Sequence, residues 1–272
     1  MEYEIKPKAK LSPGLEELWE FRELFYFFTW RDIKVKYKQA VLGIFWAILQ
    51  PLFMTVIFSF LLGKAISSQS ELPVPYPVFA LSGMLLWGIF SGGMSNAANS
   101  MVTNSNIIKK IYFPRLIIPI SAVLVACVDF FIALIIFIAA LIWYDVEVSF
   151  TGILLVPVAV IMAALAAMGI GMFFAALNIK YRDVRYVIPF LVQALLFLTP
   201  VIYPVGITSN VLFQKLLQLN PMAGALELFR GVFHAYSINW ETVGLSTLSC
   251  IVLFIVGLLY FRKTESYFAD LA

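Results

Sequence analysis

KKIYFPRLIIPISAVLVACVDFFIALIIFIAALIW, residues 109–143, decides the fold. Lys109, Lys110 and Arg115 bracket a Tyr-Phe-Pro turn and lead into an apolar run over 116–143 whose one charged residue is Asp129. That run exceeds the ~20 residues a helix needs to cross bilayer hydrocarbon. The pattern repeats outward from it: apolar runs over 42–63, 78–98, 152–178, 186–203 and 243–261 bring the total to six. With 62% apolar and 13% charged residues the chain is an all-α integral membrane protein, expected to carry six transmembrane helices.

The cations give the orientation. Of nineteen Lys and Arg residues, sixteen fall on one side of the ladder: Lys6, Lys8, Lys10, Arg22, Arg31, Lys34, Lys36 and Lys38 before the first run, Lys109, Lys110 and Arg115 after the second, Lys180, Arg182 and Arg185 after the fourth, Arg262 and Lys263 after the sixth. Only Lys64, Lys215 and Arg230 lie opposite. The positive-inside rule therefore predicts both termini in the cytoplasm. The net charge of +3 reflects this leaflet asymmetry, and nucleic acid is not an expected partner. The first apolar run follows forty polar and amphipathic residues and is too long for a signal h-region, so it is expected to act as its own insertion signal.

Residues 1–40 read as two interfacial helices on the cytoplasmic side. Ser12-Pro13 is a helix cap with a first-turn proline, and Glu16 and Glu17 follow where a helix N-terminus favours negative charge. Leu15, Leu18, Trp19, Phe21, Leu24, Phe25 and Phe28 then form a broad apolar face suited to the headgroup plane. Thr29 and Asp32 have the spacing of a second cap, which would start a basic piece over 31–38 running into the first span. Those cations serve either as anchors to anionic lipid or as a binding surface.

The spans offer little for chemistry. A membrane enzyme needs paired carboxylates, a His cluster or an activated nucleophile, but the chain has one histidine, His234, and one acid inside a span, Asp129. A lone Asp is also thin for an ion-coupled carrier; it is either a hydrogen-bonded structural acid or a residue facing an aqueous path. No metal site is expected, and Cys127 and Cys250 read as small packing residues. Gly63-Lys64 lacks the rest of a phosphate-binding loop, so any nucleotide must bind another chain. Small residues at four-residue spacing, Ala163, Ala167, Gly171 and Ala175, with Gly88 and Gly92 in the second run, mark seams where helices approach closely.

The connection over about 204–240 is too apolar for a free loop. Thr199-Pro200 and Tyr203-Pro204 precede an apolar stretch over 211–219, and Asn220-Pro221 caps a second helical stretch over 222–236. Neither piece can span, so a re-entrant outer-leaflet hairpin is expected, serving as a lid over a pathway or as an interfacial cap.

Four blocks now carry a resemblance covering most of the length. Lys36-Tyr37-Lys38-Gln39-Ala40-Val41-Leu42-Gly43 with Trp46 and Gln50-Pro51, the loop Lys109 to Arg115, Tyr181-Arg182-Asp183-Val184-Arg185 with Pro189, and Thr199 to Pro204 followed by Asn220-Pro221 together resemble the permeases of polysaccharide-exporting ABC transporters, of the O-antigen and teichoic acid export type. The resemblance implies a homodimeric half-transporter over 41–262, a cytoplasmic tail over 263–272, a bacterial cytoplasmic membrane, and two copies of a separate cytosolic ATPase. It implies no cofactor in this chain, with ATP and Mg bound by that partner. The substrate implied is an undecaprenyl-pyrophosphate-linked polysaccharide, with O-antigen favoured over capsule or teichoic acid.

Residue roles follow from the resemblance. Arg31, Lys34, Lys36 and Lys38 become a gate helix meeting the diphosphate. Phe45, Trp46, Trp87, Phe90, Phe190, Phe197 and Tyr203 become aromatic candidates for the sugar path. Asn104, Lys109, Lys110, Tyr112, Arg115, Lys180, Arg182, Asp183 and Arg185 become handles for the ATPase, with a short coupling helix expected near 100–110. A type-2 ABC permease for a drug, lipid or other small molecule would share the spans and the ATPase. A glycolipid enzyme or ion-coupled carrier is the more distant alternative.

Overall fold

The structure, a computed structural model, describes residues 15–38, 43–69, 72–181, 183–207 and 210–265. The cap at Ser12-Pro13, Lys6, Lys8, Lys10, residues 39–42, Arg182 and the tail beyond Glu265 lie outside the described residues. Among the described residues eleven α-helices follow in order: α1 Leu15–Glu20, α2 Arg22–Lys38, α3 Phe45–Gln69, α4 Tyr76–Thr103, α5 Ser105–Ile108, α6 Ile117–Trp143, α7 Phe150–Lys180, α8 Val184–Leu198, α9 Val211–Gln218, α10 Pro221–Arg230 and α11 Trp240–Glu265. Among the described residues the only β pairing is one bridge between Val148 and Phe233.

Among the described residues five helices, α3, α4, α6, α7 and α11, are long and apolar enough to cross a membrane. The expected fifth span over 186–203 is shorter. It is α8, with 15 residues, ~22 Å of helix against ~30 Å of hydrocarbon. The cause is Pro200, whose ring disfavours helical backbone in the residue before it; Thr199 is extended at φ −108, ψ 137 and ends the helix.

α4 is the axis of the bundle, buried along nearly its whole length between α6 and α7. The small-residue ladder faces it within the same chain: Ala163, Ala167 and Ala175 are fully buried, and Gly171 and Ala167 lie against Ala97 and Gly93 of α4. α7 meets α11 as closely on its other side. A Cβ at Gly257 would come within 1.9 Å of the Gly169 carbonyl oxygen, so only glycine lets these backbones touch. Gly88 instead has open space beside it. Cys250 donates to the Met162 carbonyl at 3.5 Å, and both cysteines are free.

The N-terminal helices break at Phe21 rather than at Thr29, and α2 runs unbroken through the expected second cap. The Thr29 hydroxyl donates back to the Phe25 carbonyl at 3.0 Å, an i−4 bond that satisfies it inside a continuing helix. α2 also does not lie flat across the bundle end. Phe28 meets Phe113, ahead of α6, with ring centroids 5.4 Å apart. Lys36 and Tyr37 meet Asp129, twelve residues past Ile117, ~18 Å along α6. The helix therefore climbs α6, held at both ends.

After α8 the chain turns through Val205–Ile207 into α9 and α10. Asn210 accepts from the Leu212 and Phe213 amides, and Asn220 accepts from Met222 at 2.9 Å, with Pro221 in the first turn. The second stretch is helical only to Arg230. α9 leaves Val211, Leu212 and Leu216 exposed, whereas every residue from Met222 to Arg230 is buried against α4, α7 and α11. Phe229 packs on Phe130 and Phe137 of α6 at 5.7 and 5.2 Å.

Candidate functional site

A cleft of about 410 Å³ opens between α3, α4, α6 and α8, with Lys36 of α2 at its edge. Helical spacing builds each wall. Trp46 and Gln50 stand one turn apart on α3, Trp87, Gly88, Ser91 and Asn96 line one face of α4, and Pro189 and Gln193 line α8. Asp129 and Phe130 come from α6.

Asp129 is the centre of charge. It pairs with the Lys36 ammonium and accepts from the Tyr37 hydroxyl, joining α2 to α6 across 93 residues of sequence. The pair is partly solvent-exposed, with side-chain exposures of 42% for Lys36 and 24% for Asp129, so its strength is that of a screened ion pair. Burial, reinforced by the bond to Asp129, holds the Tyr37 phenol well above its ordinary value, so Tyr37 remains a donor.

The four cations of the gate helix divide between two faces. Lys34 sits over the Trp30 ring at 5.1 Å and, with Lys38, lines a separate apolar groove of about 300 Å³ that also holds Phe27 and Val35. Arg31 borders that groove while bonding Asp32 and reaching the Asn104 side-chain oxygen at 2.7 Å. Only Lys36 lines the main cleft. At ~100° per residue, Lys34 and Lys38 share a face that Lys36 cannot join.

The seven aromatic candidates divide as well. Trp46 and Trp87 line the cleft. Phe90 is buried behind Trp87, ring centroids 5.2 Å apart, and does not reach it. Phe45, Phe190 and Phe197 are exposed on the outside of α3 and α8 without lining the cleft, and the Tyr203 hydroxyl donates to the Phe197 carbonyl at 2.6 Å.

At the basic end of the bundle, Asn104 closes α4 and begins α5, and its amide donates to Ser100 at 2.8 Å. Lys109, Lys110 and Tyr112 are exposed around a pocket of about 200 Å³. Arg115 is tied inward: its backbone amide donates to the Glu265 carboxylate at 3.3 Å and its guanidinium to the Glu265 carbonyl. Lys180 lies over the Tyr181 ring at 5.1 Å, and Asp183 and Arg185 are exposed beside it.

Sequence reasoning gave no role to the cleft's uncharged polar residues Ser91, Asn96 and Gln193, and quoted Gln50 only within the Gln50-Pro51 block, although amides inside apolar runs were there to be seen. It also passed over Arg230, buried at the end of α10, which donates to the Val201 carbonyl at 2.7 Å and lies 3.7 Å over the Phe79 ring.

A bundle of helices long and apolar enough to cross a membrane, with an open, mainly apolar cleft that carries a few polar groups and an exposed basic loop, is the architecture of a membrane transport subunit. A family profile described as ABC-2 type transporter matches residues 23–234, and the chain belongs to that family. It is similar to an O-antigen export system permease protein RfbA of Klebsiella pneumoniae, 28% identical over 250 residues, covering 92% of this chain and 95% of the relative. A protein of the same description from Myxococcus xanthus is 23% identical over 256 residues, 93% of this chain and 97% of the relative. A polysialic acid transport protein KpsM of Escherichia coli is 23% identical over 244 residues, covering 86% and 91%.

Proposed function

We propose that this chain is the membrane permease of an ATP-driven exporter that moves an undecaprenyl-pyrophosphate-linked polysaccharide, O-antigen in the first instance, outward across a bacterial cytoplasmic membrane. The observation that carries the reading is the cleft: tryptophan faces, uncharged polar groups and one Lys36–Asp129 pair set in a mainly apolar lining. Tryptophan faces suit the C–H surfaces of pyranose rings, and few fixed charges avoid trapping a passing chain. Its relatives, named as O-antigen export permeases and a polysialic acid transport protein, support the same class of cargo.

Two copies would enclose the path, since α3 and α8 leave most of their apolar surface uncovered. Lys36, with Lys34 and Lys38 on the other face of α2, would meet the diphosphate, and α10 with α9 would form a re-entrant lid at the far side. Both termini would be cytoplasmic, where a cytosolic ATPase grips α5, Lys109, Lys110, Tyr112 and the 180–185 turn. The Arg31–Asn104 bond would pass a stroke on α5 to the gate helix.

Deleting the gene in a strain that builds the lipid-linked glycan tests this. Surface polymer should vanish while lipid-linked polymer accumulates inside, and the wild-type chain should restore export. Unchanged surface polymer would redirect the search to smaller cargo for the same type of permease.

A further inference from the structure

Three side-chain amides converge on the cleft: Gln50 of α3, Asn96 of α4 and Gln193 of α8. All three are exposed there, and among the described residues none is hydrogen-bonded to another protein group. Four buried or half-buried amides in and beside the spans behave differently. Asn99 donates to Ser95 at 2.9 Å, Asn104 to Ser100 at 2.8 Å, Asn178 to Ala98 at 3.0 Å, and Asn220 to Thr199 at 2.9 Å. An amide facing hydrocarbon without a partner is costly, so three of them on one concave surface require water or a ligand there.

We propose that Gln50, Asn96 and Gln193 form a binding station for the hydroxyl groups of a neutral saccharide, with Trp46 and Trp87 supplying the faces on which the sugar rings rest. This rests on the export reading and names where that substrate is held. Each amide both donates and accepts, as a sugar hydroxyl does, so the station tolerates any repeat unit while rejecting a purely apolar ligand, which would leave the amides unpaired. Lys36 and Asp129 neutralise one another at the edge of the same cleft, so the surface offers no net charge to hold an anionic chain. The glycan is thereby assigned to the three amides, apart from Lys34 and Lys38 on the other face of α2, where a diphosphate would meet cations not neutralised by Asp129.

The test uses the permease with its ATPase partner in lipid nanodiscs and radiolabelled maltoheptaose, a neutral linear oligosaccharide, as the probe. The wild-type complex should bind it saturably, and Gln50→Met, Asn96→Leu and Gln193→Met combined should weaken binding about tenfold or more, as expected for several lost hydrogen bonds. Each single variant should show a smaller loss, and Gln50→Asn should recover part of it, which keeps the test decisive should the triple variant fail to assemble. Binding at wild-type strength in the single variants, or no saturable binding by the wild type, would overturn the station. So would variants that separate the two copies, because the amides would then be interchain contacts. Binding is scored without transport, so intact saccharide binding together with unchanged glycan export after deletion of the gene would count against the export reading and not against the station.

Discussion

At the scale of single residues, the decisive contact is Asp129 with Lys36 and Tyr37. Asp129 was conspicuous in the sequence as the one charge in its run, but its partners were not, because the pairing depends on how steeply α2 climbs α6. A double-mutant cycle on Lys36→Ala and Asp129→Ala, read by thermal unfolding of the purified permease, should give a coupling of about 0.5–1 kcal/mol, the range for a partly exposed pair. Additive effects would show that the contact does not hold α2. Arg230 belongs to the same scale. Arg230→Ala removes a buried bond to Val201 and the contact with the Phe79 ring. It should cost about 1.5–3 kcal/mol of stability, the range for a hydrogen bond from a charged donor, and lower the Tm accordingly. Its role was illegible because Val201 lies 29 residues away across the α9–α10 hairpin.

At the scale of elements, apolar length and the small-residue ladder were readable, since hydrophobic runs and four-residue spacing are properties of a single helix. Helix ends were less so. Thr199-Pro200 was noticed, yet its consequence, a helix stopping at Leu198 instead of 203, follows from the proline's effect on the residue before it. Thr29 misled in the other direction, because its hydroxyl can cap a new helix or bond back within an old one. The close approach of α7 and α11 makes a sharp prediction: Gly257→Val must push the Gly169 backbone away and should destabilise the bundle by more than the ~1–3 kcal/mol of ordinary overpacking. A Tm equal to wild type would show that the two helices can separate freely. The basic loop sorts into two groups. Replacing exposed Lys109, Lys110 and Tyr112 by Ala should leave the Tm unchanged and lower transport-coupled ATP hydrolysis, whereas Arg115→Ala should lower the Tm through its lost bond to Glu265.

At the scale of the whole molecule, a chain read as six spans has, among the described residues, five long helices with α4 at their centre and a short apolar α8 beside an open cleft. The uneven burial is what the sequence could not display: α4 is enclosed and α3 almost bare, although both are apolar runs of similar length. That asymmetry leaves the cleft open on the side where a second copy would close it, and it places the tryptophans, the amides and Lys36 on one surface. The central claim is that this surface carries a lipid-linked glycan on ATP-driven strokes. The most direct measurement reconstitutes the permease and its ATPase in vesicles loaded with radiolabelled undecaprenyl-pyrophosphate glycan and scores glycan reaching the side opposite the ATPase. The account predicts translocation that requires ATP, stops with a hydrolysis-dead ATPase, and falls when Trp46 and Trp87 are both replaced by Ala; translocation indifferent to ATP or to the cleft would contradict it.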